Sequence, residues 1–237
     1  MKKAFTLAEV LITLGIIGIV AAITLPAVIN KIEDKQFKSA FKKQYSAVSQ
    51  AMLKVYADEG TTYEQVEWQN MAKYVCKVQK QLKAIKSGLI CDKILSVEGE
   101  INNLAGMYNL REISWYGSKE NHIHWYDKQG KDMNTNAAFH AFTFSLPDGA
   151  IINFNSVNQI FIDVNGYKKP NTIGRDIFYC FLPDKESTPT FFKKRGDSLN
   201  VNGYACPEYC TLINKNNYKE DCKNGTGWGC SPMYILN

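Results

Sequence analysis

Residues 3–29 read KAFTLAEVLITLGIIGIVAAITLPAVI, and the rest of the chain is organised around this stretch. From Val10 to Ile29 there is no charge, and only Thr13 and Thr24 carry polar side chains. As a helix rising 1.5 Å per residue, that run of about twenty residues spans roughly 30 Å, the hydrocarbon thickness of one bilayer. Glu9 stands at its edge. A carboxylate at that depth is costly unless something pairs with it. A cleaved secretory signal would have a shorter apolar region and small residues at the cut, and Leu25-Pro26-Ala27 fits that poorly. A plain single-pass anchor leaves Glu9 without a purpose.

Lys3-Ala4-Phe5-Thr6-Leu7-Ala8-Glu9 resembles the cleavage and methylation signal of type IV prepilins and type II secretion pseudopilins. The resemblance implies a cut between Ala4 and Phe5 by a prepilin peptidase, followed by methylation of the new amino terminus. The family more often has glycine at the position of Ala4, and alanine keeps that side chain small. It also implies that Glu9 neutralises the amino terminus of a neighbouring subunit during assembly. A buried carboxylate and a buried ammonium are each costly alone and tolerable together. Pro26 matches the helix-bending proline that many pilins carry.

The helix is expected to continue beyond the membrane. Phe37, Phe41, Tyr45, Val48, Met52 and Val55 recur at three and four, an amphipathic stripe for a core to cover. Gly60 is a plausible stop. The expected organisation is therefore a leader at 1–4, a long helix at 5–58 and a head at 59–237, the membrane part of the helix being 5–29 and the amphipathic part 30–58. Residues 62–90 keep a helical pattern. Phe142, Phe144 and Leu146 alternate, Pro147-Asp148-Gly149 turns, and Ile151–Phe154 follows, a β-hairpin pattern that Gln159–Asp163 extends. The tail, Gly227–Cys230 with Tyr234-Ile235-Leu236, resembles the closing strand of pilin-like proteins. The expected fold class is α+β, a long transmembrane helix packed against an antiparallel sheet.

The chain has 237 residues and a net charge of +5, but its lysines are spread widely. Clusters such as Lys193-Lys194-Arg195 lack the size and aromatic interleaving of a nucleic-acid surface, so no specific nucleic acid is expected, though a DNA-uptake pilus stays open. Seven cysteines, Cys76, Cys91, Cys180, Cys206, Cys210, Cys222 and Cys230, point to a compartment that permits disulfides. A Cys76–Cys91 bridge would staple one subdomain, and Cys180 is a candidate to join the carboxyl-terminal group. Four thiolates on zinc, from Cys206 to Cys230, form the competing reading, at looser spacing than the usual knuckles. One feature opposes an external head. Lys31, Lys35, Lys38, Lys42 and Lys43 follow the span, while only Lys2 and Lys3 precede it, the reverse of the positive-inside pattern. The processing signal and the cysteines nevertheless place the head outside the cytoplasm.

Asp163, Asn165, the carbonyl of Tyr167 and Asp176 form a candidate calcium set, with a plain structural turn at Asn165-Gly166 as the alternative. His122, His124 and His140 are the only histidines, and nothing near them resembles a hydrolase motif. No nucleophile elbow, phosphate loop or CxxC pair occurs. The expectation is a non-enzymatic structural subunit, a major or minor pilin of a type IV pilus-like filament. A pseudopilin of a type II secretion system is the alternative, and a tethered extracytoplasmic enzyme or binding protein ranks below both. The implied partners are the peptidase, copies of itself or other pilins, an inner-membrane assembly platform and membrane lipid.

Overall fold

A computed structural model of the chain describes residues 6–60, 68–99, 101, 104, 106–109, 112–113, 124–133, 142–155, 159–181, 191 and 213–236. Helix α1 runs unbroken over Leu7–Glu59, with Pro26 inside it. At 1.5 Å per residue it is about 80 Å long. Its first half is exposed throughout, with Leu7, Leu11, Ile17 and Ile23 all more than 60% accessible, as a span that lipid must cover. Its second half buries Phe41, Val48, Ala51, Met52 and Val55, the face the stripe predicts. Gly60 ends it in the left-handed conformation (φ 66°) and donates its N–H to the carbonyl of Tyr56.

Helix α2 (Trp68–Leu82) packs against α1 through Met71, Val75 and Val78, and the Cys76–Cys91 disulfide ties it to the short helix α3 (Cys91–Leu95). Here the expected helix ends earlier than its pattern suggests. Lys83 adopts φ 54°, Ala84 donates to the carbonyl of Gln79 and Lys83 to that of Lys80. Those two bonds form a Schellman cap, which usually carries glycine or asparagine at the left-handed position. A lysine in that place hides the stop. The chain then turns extended and contributes β1 (Lys86–Ser87) to the sheet.

The sheet has five strands in chain order, every neighbouring pair antiparallel: β1, β2 (Thr143–Ser145), β3 (Ile151–Asn155), β4 (Gln159–Asp163) and β5 (Ile177–Phe181). Both of its faces are buried. Phe144, Ile152, Phe154, Ile160, Ile162, Phe178 and Cys180 face the helices, and Phe178 stacks on Phe41 of α1 at 4.2 Å between centroids. The alternate residues Ile151, Phe161, Ile177, Tyr179 and Phe181 join a second apolar cluster with Trp125 and Trp228. There Trp228 lies edge-on to Tyr179 (5.0 Å), Phe161 (6.0 Å) and Trp125 (6.1 Å). Such edge-to-face contacts add to the stability from area burial.

That second face is covered by three interlocking segments rather than by helices. Residues 124–133, 171–177 and 226–230 exchange backbone bonds, including Tyr126 N–H to Asn171 O, Ile173 N–H to Tyr126 O and Lys128 N–H to Thr226 O. The backbones of Gly174 (φ 76°) and Gly227 (φ 93°) approach so closely that a Cβ on Gly174 would lie 2.3 Å from the Gly227 carbonyl oxygen. The Asp221 carboxylate secures the last of these segments, accepting from the N–H groups of Thr226, Gly227 and Gly229 and from the Thr226 hydroxyl.

The tail differs from the expected closing strand. Residues Tyr218–Asn224 form helix α4 and Cys230–Leu236 form helix α5, while β5 closes the sheet. Pro232 falls in the first turn of α5, where its missing N–H costs nothing, and the Cys222–Cys230 disulfide joins the two helices. The Ser231 hydroxyl accepts the N–H of Tyr179 at 2.9 Å, so the tail gives the outermost strand a partner instead of extending it.

Candidate functional site

The candidate processing and assembly residues Ala4, Phe5 and Glu9 belong to the start of the chain, and Pro26 to the interior of α1. Ala4 and Phe5 fall outside the described residues. Glu9 is in the first turn, and its carboxylate oxygen Oε2 accepts from the Thr6 N–H (2.8 Å) and the Thr6 hydroxyl (2.9 Å). Thr6 reciprocates by accepting the N–H of Glu9 at 3.2 Å. This is a capping box, in which the first donors of the helix are satisfied from within the chain. Thr6 is thus a partner for Glu9 within the chain, and Thr6-Leu7-Ala8-Glu9 fits the S/T-x-x-E signature. Pro26 lies about 25 Å further along, at 1.5 Å per residue.

Among the described residues, polar contacts fix the head on α1 at several points, including the Lys77–Glu59 ion pair. The Arg175 guanidinium donates to Asp34 (2.9 Å), Asn30 (3.1 Å) and Glu33 (3.4 Å). At the β2–β3 turn, the Asp148 carboxylate accepts from Lys43 and from the buried Gln44, both at 2.6 Å. Neither of these last two contacts is legible from apolar periodicity, because each joins polar residues more than a hundred positions apart.

The four candidate calcium positions do come together around the β4–β5 connection. Asp163 and Asp176 are fully buried. Asp163 accepts the N–H of Asn165 at 3.1 Å, and Asp176 accepts those of Asn171 (2.8 Å) and Thr172 (2.7 Å). The Asn165 side-chain amide also bonds to Asp176 and donates to the carbonyl of Lys169, while its own Oδ1 is buried without a hydrogen-bond partner. Tyr167 packs its ring against the second apolar cluster. Hydrogen-bond donors of the loop therefore already occupy both carboxyl groups, and the amide turns its N–H, not its oxygen, toward Asp176. The Lys169–Pro170 peptide in the same loop is cis.

Burial holds the Asp163 carboxyl well above the usual carboxylate range, and the neighbouring Asp176 raises it further. The unfolded chain then gives up this proton first, so the folded state is penalised as pH rises from about 4 toward the folded value, and not below it. Asp163→Asn, whose amide oxygen still accepts from Asn165, should therefore melt above wild type at neutral pH, with the difference shrinking as the pH falls toward about 4. Thermal melts of the two proteins across that range, with and without calcium, decide it. A calcium-dependent rise in the wild-type Tm, absent in the variant, would establish the cation reading instead.

Cys180, a candidate for the carboxyl-terminal disulfide group, is a buried thiol on β5, and burial pushes its pKa up. It lies in the same apolar cluster as the Cys222–Cys230 bridge but is not joined to it, and a fully buried thiol of this kind is unreactive. Cys206 and Cys210 fall outside the described residues, as do His122 and His140. His124 is exposed and pairs with Asp132 at 2.6 Å. Among the described residues no group of three or more His, Cys, Asp or Glu side chains is placed to hold a metal.

A family profile described as the prokaryotic N-terminal methylation motif matches residues 1–25. No curated protein matches the chain. No solved structure matches it. The motif carries with it the general partners of pilin biogenesis: a processing peptidase, an assembly platform and other subunits. A methylation motif thus opens a single apolar span, below a head whose sheet packs on the continuation of the same helix, which is a pilin-like α+β arrangement with a membrane-anchored topology.

Proposed function

We propose that the chain is a major or minor pilin of a type IV pilus-like filament, cut between Ala4 and Phe5, N-methylated at Phe5, and set in axial register by Glu9. The observation that supports this best is the exposure of the first half of α1. Among the described residues nothing covers its apolar side chains. Lipid covers them before assembly, and once the subunit leaves the membrane only neighbouring helices of the same kind can do so. Further copies of the chain, or other pilins, are therefore its main partners, with the peptidase and the platform acting before them.

Mass spectrometry of the mature amino-terminal peptide should find Phe5 first and methylated. An intact Met1, or a cut near Ala27, overturns the processing. Head-directed antibody imaging should label filaments outside the cell. Unlabelled cells whose deletion strain loses protein secretion, with twitching and transformation intact, would make the subunit a type II secretion pseudopilin.

A further inference from the structure

We propose that the underside of the head, together with the lysine face of α1 above the span, docks on anionic phospholipid headgroups while the subunit waits in the membrane. The inference rests on the anchored-subunit reading above, and it gives the misplaced lysines a role. The apolar run ends at Ile29, and Arg175 of the head reaches Asn30, the next residue, at 3.1 Å. The headgroup layer extends roughly 5–8 Å beyond the hydrocarbon, and one helical turn covers about 5.4 Å. The head therefore begins at headgroup depth, with no stalk of bare helix to hold it clear.

The charges there are sorted. Lys31, Lys35, Lys38 and Lys42 recur at four, three and four along one helix face, and Lys31, Lys35 and Lys42 are exposed. Beside them an open cleft of about 450 Å³ brings Tyr126, and Lys128 and Gly130 of the 127–131 turn, next to Asp34 and Arg175. The acids in this region are engaged by the protein itself. Glu33 and Asp34 hold Arg175, Asp127 accepts the N–H groups of Gln129 and Lys131, and Asp132 pairs with His124. The exposed lysines thus present an outward positive field to a surface that the span itself brings into reach. Lysines near an anionic leaflet each strengthen partition by about fivefold, an effect that salt screens. Lys31 and Lys35 lie about 3 and 9 Å past Ile29 along the helix, within reach of the headgroups, and headgroup binding accounts for these two lysines on the far side of the span without reversing the topology.

The full-length protein is reconstituted in vesicles of phosphatidylcholine alone or with about one-third phosphatidylglycerol, a composition that supplies the leaflet charge the argument needs. Flotation reports the anchor, and amide hydrogen exchange of the 127–131 turn reports docking. The protein should float with both vesicles. Exchange in the turn should slow about fivefold or more in the anionic ones, and high salt or the triple variant Lys31→Gln, Lys35→Gln, Lys131→Gln should abolish the difference. Flotation with both but equal exchange overturns docking and leaves the anchor standing. Protection that follows protein density rather than lipid charge assigns the surface to a second copy and also overturns it. Failure to float with either vesicle overturns the anchored reading and this inference with it.

Discussion

Glu9→Leu leaves the head folded and the protein inserted, and removes most of it from filaments. The head is indifferent because Glu9 lies in the first turn of α1, more than thirty residues before Phe41, the first fully buried residue of that helix. Insertion is indifferent because leucine lengthens the apolar run. Assembly is not, because burying the methylated amino terminus of a neighbour without a counter-charge costs several kcal/mol, and each 1.4 kcal/mol is about tenfold in the assembled fraction. Sheared filament yield against total membrane protein, read by immunoblot, measures the effect. Thr13→Leu is the control, since it removes a polar side chain from the same span without touching charge; its hydroxyl only bonds the Val10 carbonyl. The capping box adds a second control. Thr6→Val deletes the cap, worth about 1 kcal/mol, and keeps the carboxylate. If Thr6→Val fails to assemble as badly as Glu9→Leu, the glutamate acts as a helix cap and not as the register device. If Glu9→Leu assembles as well as Thr13→Leu, the carboxylate has no part in assembly.

Gly174→Ala is expected to destabilise the head by about 4 kcal/mol or more, the range reserved for changes that break a packed backbone contact. A Cβ there would lie 2.3 Å from the Gly227 carbonyl oxygen and 2.9 Å from its Cα, and both neighbours are backbone that no rotamer change can move aside. Relief requires the 171–177 and 226–230 segments to separate, which takes Trp228 away from Phe161 and Tyr179 and opens the second apolar cluster. Gly149→Ala isolates the conformational part of the cost. Its φ of 90° is also positive, but nothing lies within 4 Å of the added carbon. That variant should lose about 1–2 kcal/mol, the penalty of the left-handed region alone. Chemical denaturation of the head under oxidising conditions compares the two, and equal losses would show that the close approach carries no weight.

The parts of this fold legible in the sequence are those written in apolar period. Phe41, Val48, Met52 and Val55 announce the buried face of α1, and the alternation from Phe142 to Phe154 announces a hairpin. The second face of the sheet was hidden, because Ile151, Phe161 and Tyr179 are covered by irregular segments whose anchors, Trp125 and Trp228, lie far apart in sequence and belong to no periodic run. The end of α2 was hidden by a lysine in a left-handed cap. The tail read as a strand because its aromatic and branched residues suit one, while Ser231 and Pro232 carry the information that it is a helix laid on a strand edge. At Glu9 the capping-box spacing is legible in the sequence, while the position of a carboxylate beside lipid points equally to a neighbouring chain.

Two of the polar clamps between head and helix have a mechanical consequence. Arg175 grips α1 at residues 30–34 and Asp148 grips it at residues 43–44, points separated by roughly 15 Å along the axis at 1.5 Å per residue. A single attachment would let the head swivel about the helix. Two attachments, with the stacked Phe41 and Phe178 between them, remove that freedom. In the filament proposed above, tension would enter each subunit along α1 and reach the head as shear across these contacts and the apolar seam between them. Loading bonds in parallel shares the force, so the head is carried as a rigid body and the axial strain is left to the contacts between subunits.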